Sequence, residues 1–406
     1  MRDTAAPPAD ARRRGRVEFT AMLAMLYATV AFSIDAMLPS LPSIAHELTP
    51  LAPNRAQLIL SVFVMGMGVG TLFVGPMSDA WGRTPVIAGG LVLYAAAAAA
   101  AHFSASLGFL LVARFLQGVG AAAPRVVGLA LTRDLFHGRE MARVMSFVMM
   151  VFMVVPALAP MVGQTIVLFA GWRAIFLAYI AFAAIAWIWM GLRQPETLDP
   201  AARRPLAAGM ILAGLREVLA SSEVRLYTSV MALGYGQMLG VLSSIQQIFD
   251  QTWGRGAQFP YWFALIAAVS ATASMVNSRL IHRLGMRRIA LLAYSGQAAL
   301  SVAMLVLFAG FNPGGAIGFA AFFLWVTSIF FIAGLTFGNL NALAMQKMGH
   351  LAGMATSVIA SLSTVISAMI AGFVGLLFNG TPVPAMAAAA ICSALAMLLM
   401  RQARRG

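Results

Sequence analysis

The chain has 406 residues, of which 61% are hydrophobic and only 10% carry a charged side chain. Soluble domains contain roughly a quarter charged residues, so this composition excludes a soluble enzyme, a disordered protein and a coiled coil. The formal net charge of +14 would suit a nucleic-acid-binding protein unless the basic residues follow a membrane topology. We therefore interpret the chain as an all-α membrane protein that crosses the bilayer several times.

Apolar stretches about 20 residues long recur along the sequence, and each is long enough to span a bilayer. They predict twelve transmembrane helices, at 19–38, 56–76, 85–103, 106–131, 142–168, 171–192, 224–248, 259–281, 287–310, 315–343, 351–378 and 382–400. The first stretch is too long for a signal peptide and no cleavage site follows it, so we expect an uncleaved helix.

These spans define the domain organisation. We predict an N-terminal tail, a six-helix bundle, a linker, a second six-helix bundle and a C-terminal tail, at 1–18, 19–192, 193–223, 224–400 and 401–406. The linker is polar and rich in proline and arginine, apart from the short amphipathic stretch Met210–Leu219. An amphipathic helix of this kind is expected to lie along the membrane surface.

The basic residues are distributed unevenly over the predicted loops. With the N-terminus in the cytoplasm, 21 of them are cytoplasmic, and only Arg55, Arg173 and Arg255 are on the outer side. Cytoplasmic loops of membrane proteins carry such an excess. The topology therefore accounts for the net charge, so we expect no nucleic-acid partner and place both termini in the cytoplasm.

The sequence contains an internal repeat. Aligning Gly82 of the stretch Gly75–Gly90 with Gly285 of the stretch Asn277–Ala293 gives an offset of 203, half of 406 residues. Two parallel six-helix halves with equivalent loops on one side are typical of transporters that bind substrate between the halves near the bilayer centre.

Asp35 is the only acidic residue well inside a predicted span. Because an ionised carboxylate is unfavourable there, we predict that Asp35 takes up and releases a proton. A helix-end role is the alternative, since Pro39 follows one turn later.

Two arginines lie inside the fourth predicted span. Arg114 and Arg125 are eleven residues apart, so they share one helix face with Gln117. We expect Arg114 to lie at the depth of Asp35 and to pair with it, either to tune proton release or as a structural ion pair. Arg125 follows Pro124, and a bond to the freed backbone carbonyl and binding of an anionic substrate group are both open.

The sequence resembles the major facilitator superfamily, and more narrowly its bicyclomycin-resistance (Bcr/CflA) drug/proton antiporters. The similar stretches include SIDAMLPSLPSIAHEL (33–48), GPMSDAWGRTPV (75–86), RFLQGVGAAA (114–123) and VPALAPMVG (155–163). The resemblance implies the twelve-helix major facilitator fold, the bacterial inner membrane and proton-driven export. It also agrees with proton coupling by Asp35 and Arg114.

The resemblance assigns gating roles to two groups of residues. It implies that the cluster after the second span, with Arg133, locks the cytoplasmic side: Gly75, Asp79, Gly82 and Arg83. In the fifth span, Pro156 and Pro160 predict a kinked helix and Gly163 permits close packing. This span resembles the signature that separates exporters from importers.

Candidate substrate contacts are polar and aromatic residues within the spans. They are Tyr27, Ser33, Arg114, Gln117, Arg125, Tyr235, Gln237 and Gln246. Hydrogen bonding between helices is the alternative for each of them.

We predict a proton-coupled antiporter, not an enzyme, that exports small amphipathic compounds by alternating access. We expect a monomer in the bilayer that uses substrate and protons, with no cofactor or metal. Three alternatives are considered. Two are an exporter of one endogenous metabolite, such as a siderophore or an amino-acid derivative, and a proton-coupled importer on the same fold. The third is a membrane-embedded enzyme or receptor, against which the lack of a metal cluster, a nucleophile motif and a soluble domain in the sequence argues.

Overall fold

The computed structural model describes residues 9–203, 206, 208–346, 348 and 352–402. The remaining parts of the predicted tails and of the linker lie outside the described residues. Within the described ranges the chain forms fourteen α-helices: α1 Ala9–Asp35, α2 Leu41–Leu48, α3 Leu58–Trp81, α4 Arg83–His102, α5 Leu107–Leu135, α6 Gly138–Ala170, α7 Ala174–Arg193, α8 Ala208–Ala220, α9 Ser222–Gln247, α10 Phe259–Leu284, α11 Met286–Phe311, α12 Gly315–Met345, α13 Ala352–Leu376 and α14 Val383–Gln402.

Eleven helical segments in the described ranges are long and apolar enough to cross a membrane. One of them, Gly15–Leu48, combines α1 and α2. Two described helices do not qualify. Helix α8 has only 13 residues, and α9 has 26 residues but carries serine, threonine and glutamine along its length. With α9 included, the order of elements matches the twelve predicted spans, and α8 matches the predicted amphipathic stretch.

Helix ends differ from the predicted spans at several positions. Helix α1 begins at Ala9, ten residues before the predicted start at 19, so part of the predicted N-terminal tail is helical. Two further ends change the predicted loops. The first helix ends at Asp35, because a 3-10 turn at Leu38–Ser40 and the short helix α2 follow it. Pro39 lies in that turn, where its ring opposes continuation of the helix. By contrast, α3 continues through Pro76 to Trp81, so most of the predicted loop signature is helical and only Gly82 separates α3 from α4.

The helices pack as two equivalent halves, which confirms the predicted repeat. In the first half α3 and α4 pack on α5, α4 packs on α7, and α1 packs on α6. The second half repeats these pairs, as α10 and α11 on α12, α11 on α14, and α9 on α13. The two glycines aligned by sequence have the same backbone conformation, with φ of 107° at Gly82 and 74° at Gly285. Glycine adopts this left-handed region without a Cβ clash.

We call the end of the bundle that contains Gly82, Gly285 and the described part of the linker the basic face, and the other end the opposite face. The halves meet along α3 with α13 and along α6 with α10. Glycines permit close approach there: a Cβ on Gly68 would lie 2.8 Å from Val365 Cγ2. The linker helix α8 packs on α13 at the basic face, with Gly214 against Met354 and Val218 fully buried.

Candidate functional site: a cavity between the two halves

A cavity of about 950 Å³ lies between the two halves and reaches the basic face. Its wall is formed by α1, α3, α5 and α6 of the first half, by α9, α12 and α13 of the second, and by α8. The volume lies within the range of about 300–1,000 Å³ that is typical of small-molecule sites. Most of the wall is apolar, and apart from Arg125 its charged side chains lie near the basic face.

Arg83 organises a charged cluster at the mouth of the cavity. Its guanidinium donates to Asp79 Oδ1 at 2.5 Å, to Asp134 Oδ2 at 3.0 Å and to Ser78 Oγ at 2.8 Å. Arg133 lies beside this cluster and is exposed. These contacts stay within the first half, so the cluster lines the open mouth and does not lock it in this conformation.

The linker is attached to the same cluster through Glu196, a residue that the sequence did not indicate. Its carboxylate accepts from the backbone N–H groups of Arg83 and Thr84 at 2.9 and 3.0 Å, and from two N–H groups of its own turn. Burial alone would raise the pKa of the Glu196 carboxyl, but the four donors outweigh it, and the pKa lies below its ordinary value. Glu196 therefore caps the N-terminus of α4 from a distant position in the chain.

Three of the predicted substrate residues line the cavity: Tyr27 on α1, Arg125 on α5 and Tyr235 on α9. Tyr235 stacks on Phe337 of α12, with ring centroids 3.8 Å apart and an interplanar angle of 24°. The hydrogen bond described for Arg125 runs from Nη1 to Met67 Sδ at 3.6 Å. It does not bond the carbonyl freed by Pro124, which was one of the two predicted roles.

The other predicted substrate residues are buried between helices in this conformation. Ser33 Oγ hydrogen-bonds Tyr94 Oη at 2.5 Å, and Gln117 Oε1 accepts from Arg114. Gln237 Oε1 accepts from Ser393 at 2.6 Å. Gln246 is 6% exposed and lies near the opposite face, away from the cavity.

The predicted ion pair between Asp35 and Arg114 is not formed. Arg114 is fully buried, and its guanidinium donates to Gln117 Oε1 at 2.7 Å and to the Ser33 carbonyl at 3.0 Å. It also lies over the Phe63 ring, 4.3 Å from the centroid. The depth was predicted correctly, since Arg114 bonds the backbone two residues before Asp35, but its partners are neutral.

Asp35 itself is 6% exposed at the last position of α1. Within the described residues its carboxylate has no cation within 4.0 Å. It does not line the cavity, which lies nearer the basic face. The Asp35 carboxyl group is therefore enclosed between the cavity and the opposite face.

Helix α6 contains Pro156 and Pro160 within its 33 residues. The third predicted gating residue of this helix, Gly163, packs so closely on the chain just after α1 that a Cβ would overlap the carbonyl oxygen of Ala36. The predicted exporter signature thus contacts the chain immediately after Asp35.

The opposite face is closed by hydrogen bonds that join the halves, mostly through residues that sequence reasoning missed. Gln57 donates to Gln247, and Ser244 Oγ donates to Gln57 Oε1 at 3.1 Å. Asn54 Nδ2 donates to the Phe378 carbonyl at 2.5 Å. Polar side chains near helix ends are common, so their type and position gave no signal for this role. In the described ranges, no group of three or more His, Cys, Asp or Glu side chains suits a metal ion.

The sequence is similar to a known family of membrane proteins and to several of its members. The sequence profile of the Major Facilitator Superfamily matches residues 23–372. The chain is 31% identical over 386 residues to a bicyclomycin resistance protein homolog of Haemophilus influenzae, with 94% of each chain covered. It is 30% identical over 366 residues to the multidrug resistance protein MdtL of Shewanella oneidensis, with 87% of each covered.

The fold is also that of solved transporters. A partially occluded, inward-open structure of the xylose transporter XylE from E. coli superposes with a TM-score of 0.71 at 12% identity, covering 96% of this chain and 97% of the other. At this identity the likeness shows the fold alone.

Proposed function

Because this chain belongs to the major facilitator superfamily, we propose that it is a proton-coupled antiporter that exports small amphipathic compounds, as a multidrug efflux protein. The observation that carries the proposal is the cavity between the two halves, which reaches one face while hydrogen bonds close the other. Alternating access requires this asymmetry, since rocking of the halves exposes the same site first to one side and then to the other.

The relatives support a drug-like substrate. They are named for bicyclomycin resistance and multidrug resistance, and each is matched over most of its length. The cavity agrees, because its wall is mostly apolar and offers a few polar groups. Such a wall suits compounds that combine a hydrophobic body with a polar end.

We propose that the chain lies in the bacterial inner membrane with the basic face in the cytoplasm. The support is the excess of basic residues at that face, because cytoplasmic loops of membrane proteins carry such an excess. In this orientation the cavity opens inward, and the hydrogen bonds of Gln57 and Asn54 close the outer side.

We assign the proton to Asp35. Its burial, with no cationic partner among the described residues, makes the ionised form unfavourable in this inward-facing state. Opening of the outer side would bring water to the end of α1, where the carboxyl can exchange its proton. Arg114 would act on this group through the backbone of Ser33, which it already holds.

The coupling of proton entry to substrate export follows from the position of Asp35 near the opposite face. When the outer side opens, Asp35 is loaded from outside and substrate leaves. When the outer side closes, the carboxyl becomes enclosed and the cavity faces the cytoplasm. For net exchange the Asp35 proton must then leave toward the cytoplasm, and substrate binding in the cavity would be linked to that loss, because both change the stability of the same two arrangements.

The test is substrate uptake into inverted membrane vesicles driven by a pH gradient. Asp35→Asn should abolish the pH-driven part, and Asp35→Glu should restore part of it. Asp199→Asn is the matched control, because Asp199 lies in the linker and caps only a short turn there. Unchanged pH-driven uptake in Asp35→Asn would refute the proton assignment.

A further inference from the structure

Arg125 is a cation enclosed inside the cavity. It is half-buried and lies ten residues from the end of α5 at Leu135. Ten residues of helix correspond to about 15 Å of depth from the basic face. Arg125 is therefore removed from the charged residues at the mouth.

The carboxylates at the mouth are already engaged, whereas Arg133 is exposed to solvent there. Arg83 holds both Asp79 and Asp134, and Glu217 of α8 has an interaction of its own. Among the described residues Arg125 has no carboxylate within 4.0 Å. Its hydrogen-bond acceptor is the Met67 sulfur, which is a weak one. Because this guanidinium is poorly paired in a partly desolvated site, binding of an anion to it is favourable.

On the side of the second half, the cavity wall offers an aromatic pair. Tyr235 and Phe337 stack there, on α9 and α12 of the second half. Arg125 belongs to the first half, so a ligand that contacts both would bridge the halves. Aromatic faces bind planar apolar groups, whereas a guanidinium binds carboxylates and phosphates in bidentate geometry.

We propose that the cavity binds amphipathic organic anions, with the anionic group on Arg125 and a planar body on Tyr235 and Phe337. This inference rests on the proposed function for the direction and energy source of transport. The binding chemistry depends only on the cavity.

The test is equilibrium binding to the purified full-length chain in lipid nanodiscs, by calorimetry at low salt. The probes share one ring system: naphthalene-2-carboxylate, naphthalene-2-carboxamide and 2-naphthylmethylammonium. The carboxylate should bind about tenfold more tightly than the carboxamide, as expected for a charge-assisted bidentate contact. The ammonium should bind more weakly than the carboxamide.

Variants then assign the preference to one residue. Arg125→Ala should remove the preference for the carboxylate, and Arg125→Lys should keep part of it, because lysine retains the charge but loses the planar fork. Arg143→Ala is the matched control, since Arg143 is exposed on α6 outside the cavity. Circular dichroism and size-exclusion chromatography establish that each variant is folded.

The inference is overturned if the wild type fails to bind the carboxylate, or binds the carboxamide or the ammonium as tightly. It is also overturned if folded Arg125→Ala keeps the preference. Comparing the three probes on the wild type tests the anion preference even if Arg125→Ala does not fold. If the anion preference depends on Arg125 but pH-driven transport does not depend on Asp35, the anion site stands and the proton assignment fails.

Discussion

Gly163 of α6 lies directly against the backbone of Ala36, the residue that follows Asp35 at the end of α1. The contact joins the helix with the exporter-like proline and glycine pattern to the proposed proton site. A side chain at position 163 would overlap the Ala36 carbonyl oxygen, so only glycine allows α6 to pack this closely on the end of α1. Movement of α6 and the environment of Asp35 are therefore mechanically linked.

We predict that Gly163→Ala lowers both stability and pH-driven transport. The added methyl group must push α6 away from α1, and overpacking of this kind costs about 1–3 kcal/mol. Thermal unfolding of the purified protein and vesicle uptake measure the two effects. Gly89→Ala in α4 is the control, because a Cβ there meets no atom within 4 Å. Equal behaviour of the two variants would show that the contact with Ala36 has no role.

Glu196 gives a prediction about the linker. Glu196→Gln should lower the free energy of unfolding by about 1 kcal/mol at pH 7, because a neutral amide caps the N-terminus of α4 less well than a carboxylate. The pKa of Glu196 is lower in the folded protein than its ordinary value of 4.5. Its contribution is therefore present above that value and is lost as the pH falls through the lowered pKa.

Thermal unfolding of wild type and Glu196→Gln between pH 7 and pH 3 measures this effect. The difference in melting temperature should be largest near pH 7 and should shrink in acid. Asp199→Asn is the control, since Asp199 caps a 3-10 turn of three residues within the linker. A difference that stays constant with pH would mean that the charge of Glu196 does not contribute.

The sequence predicted the spans and the repeat because both depend on hydropathy, charge and glycine, which are local properties. It could not predict which side of each helix meets the cavity. Tyr235 and Gln237 are two residues apart on α9, yet one lines the cavity and the other bonds Ser393 inside the second half. Two residues correspond to about 200° around a helix, so such neighbours point in opposite directions.

Side-chain direction also explains why the predicted pair of Asp35 and Arg114 is not formed. Counting residues along two helices placed them at a similar depth, and the bond from Arg114 to the Ser33 carbonyl agrees. Pairing depends in addition on side-chain direction and on competing acceptors. Gln117, one turn along α5, supplies such an acceptor at 2.7 Å. Residues such as Gln57 were missed because their partners belong to the other half, which no local pattern reveals.

We predict that Gln57→Ala destabilises the closed opposite face. Losing the bonds to Gln247 and Ser244 should cost about 1 kcal/mol, which corresponds to about fivefold more of the outward-open state. Ser61 is 4% exposed on α3 close to Gly372 of α13, so a cysteine there reports the opening. In a Cys392→Ala background, Ser61→Cys should react with a membrane-impermeant maleimide several-fold faster when Gln57 is alanine.

The matched control for this experiment is Gln297→Ala. Gln297 is buried, and its hydrogen bonds to Ser301 and Ser328 stay within the second half. This variant should reduce stability without faster labelling of position 61. Equally faster labelling in both variants would mean that general loosening, and not loss of the contact between the halves, exposes the site.

Binding of an organic anion has a consequence for the energetics of transport. If the substrate leaves the cell as a monoanion while one proton enters, each cycle moves two positive charges inward. If it is carried in the neutral acid form, each cycle moves one. A membrane potential of 100 mV contributes about 2.3 kcal/mol per charge, so about 60 mV changes the accumulation ratio tenfold for one charge and a hundredfold for two.

We therefore predict that inverted vesicles without a pH gradient accumulate naphthalene-2-carboxylate about a hundredfold for an interior-positive potential of about 60 mV. Potassium gradients with valinomycin set the potential, and the steady-state ratio of labelled carboxylate is measured. Arg143→Ala should give the wild-type ratio, whereas Asp35→Asn should lose the accumulation. A ratio near tenfold would show that only one charge moves per cycle, which contradicts export of the anion together with entry of a proton.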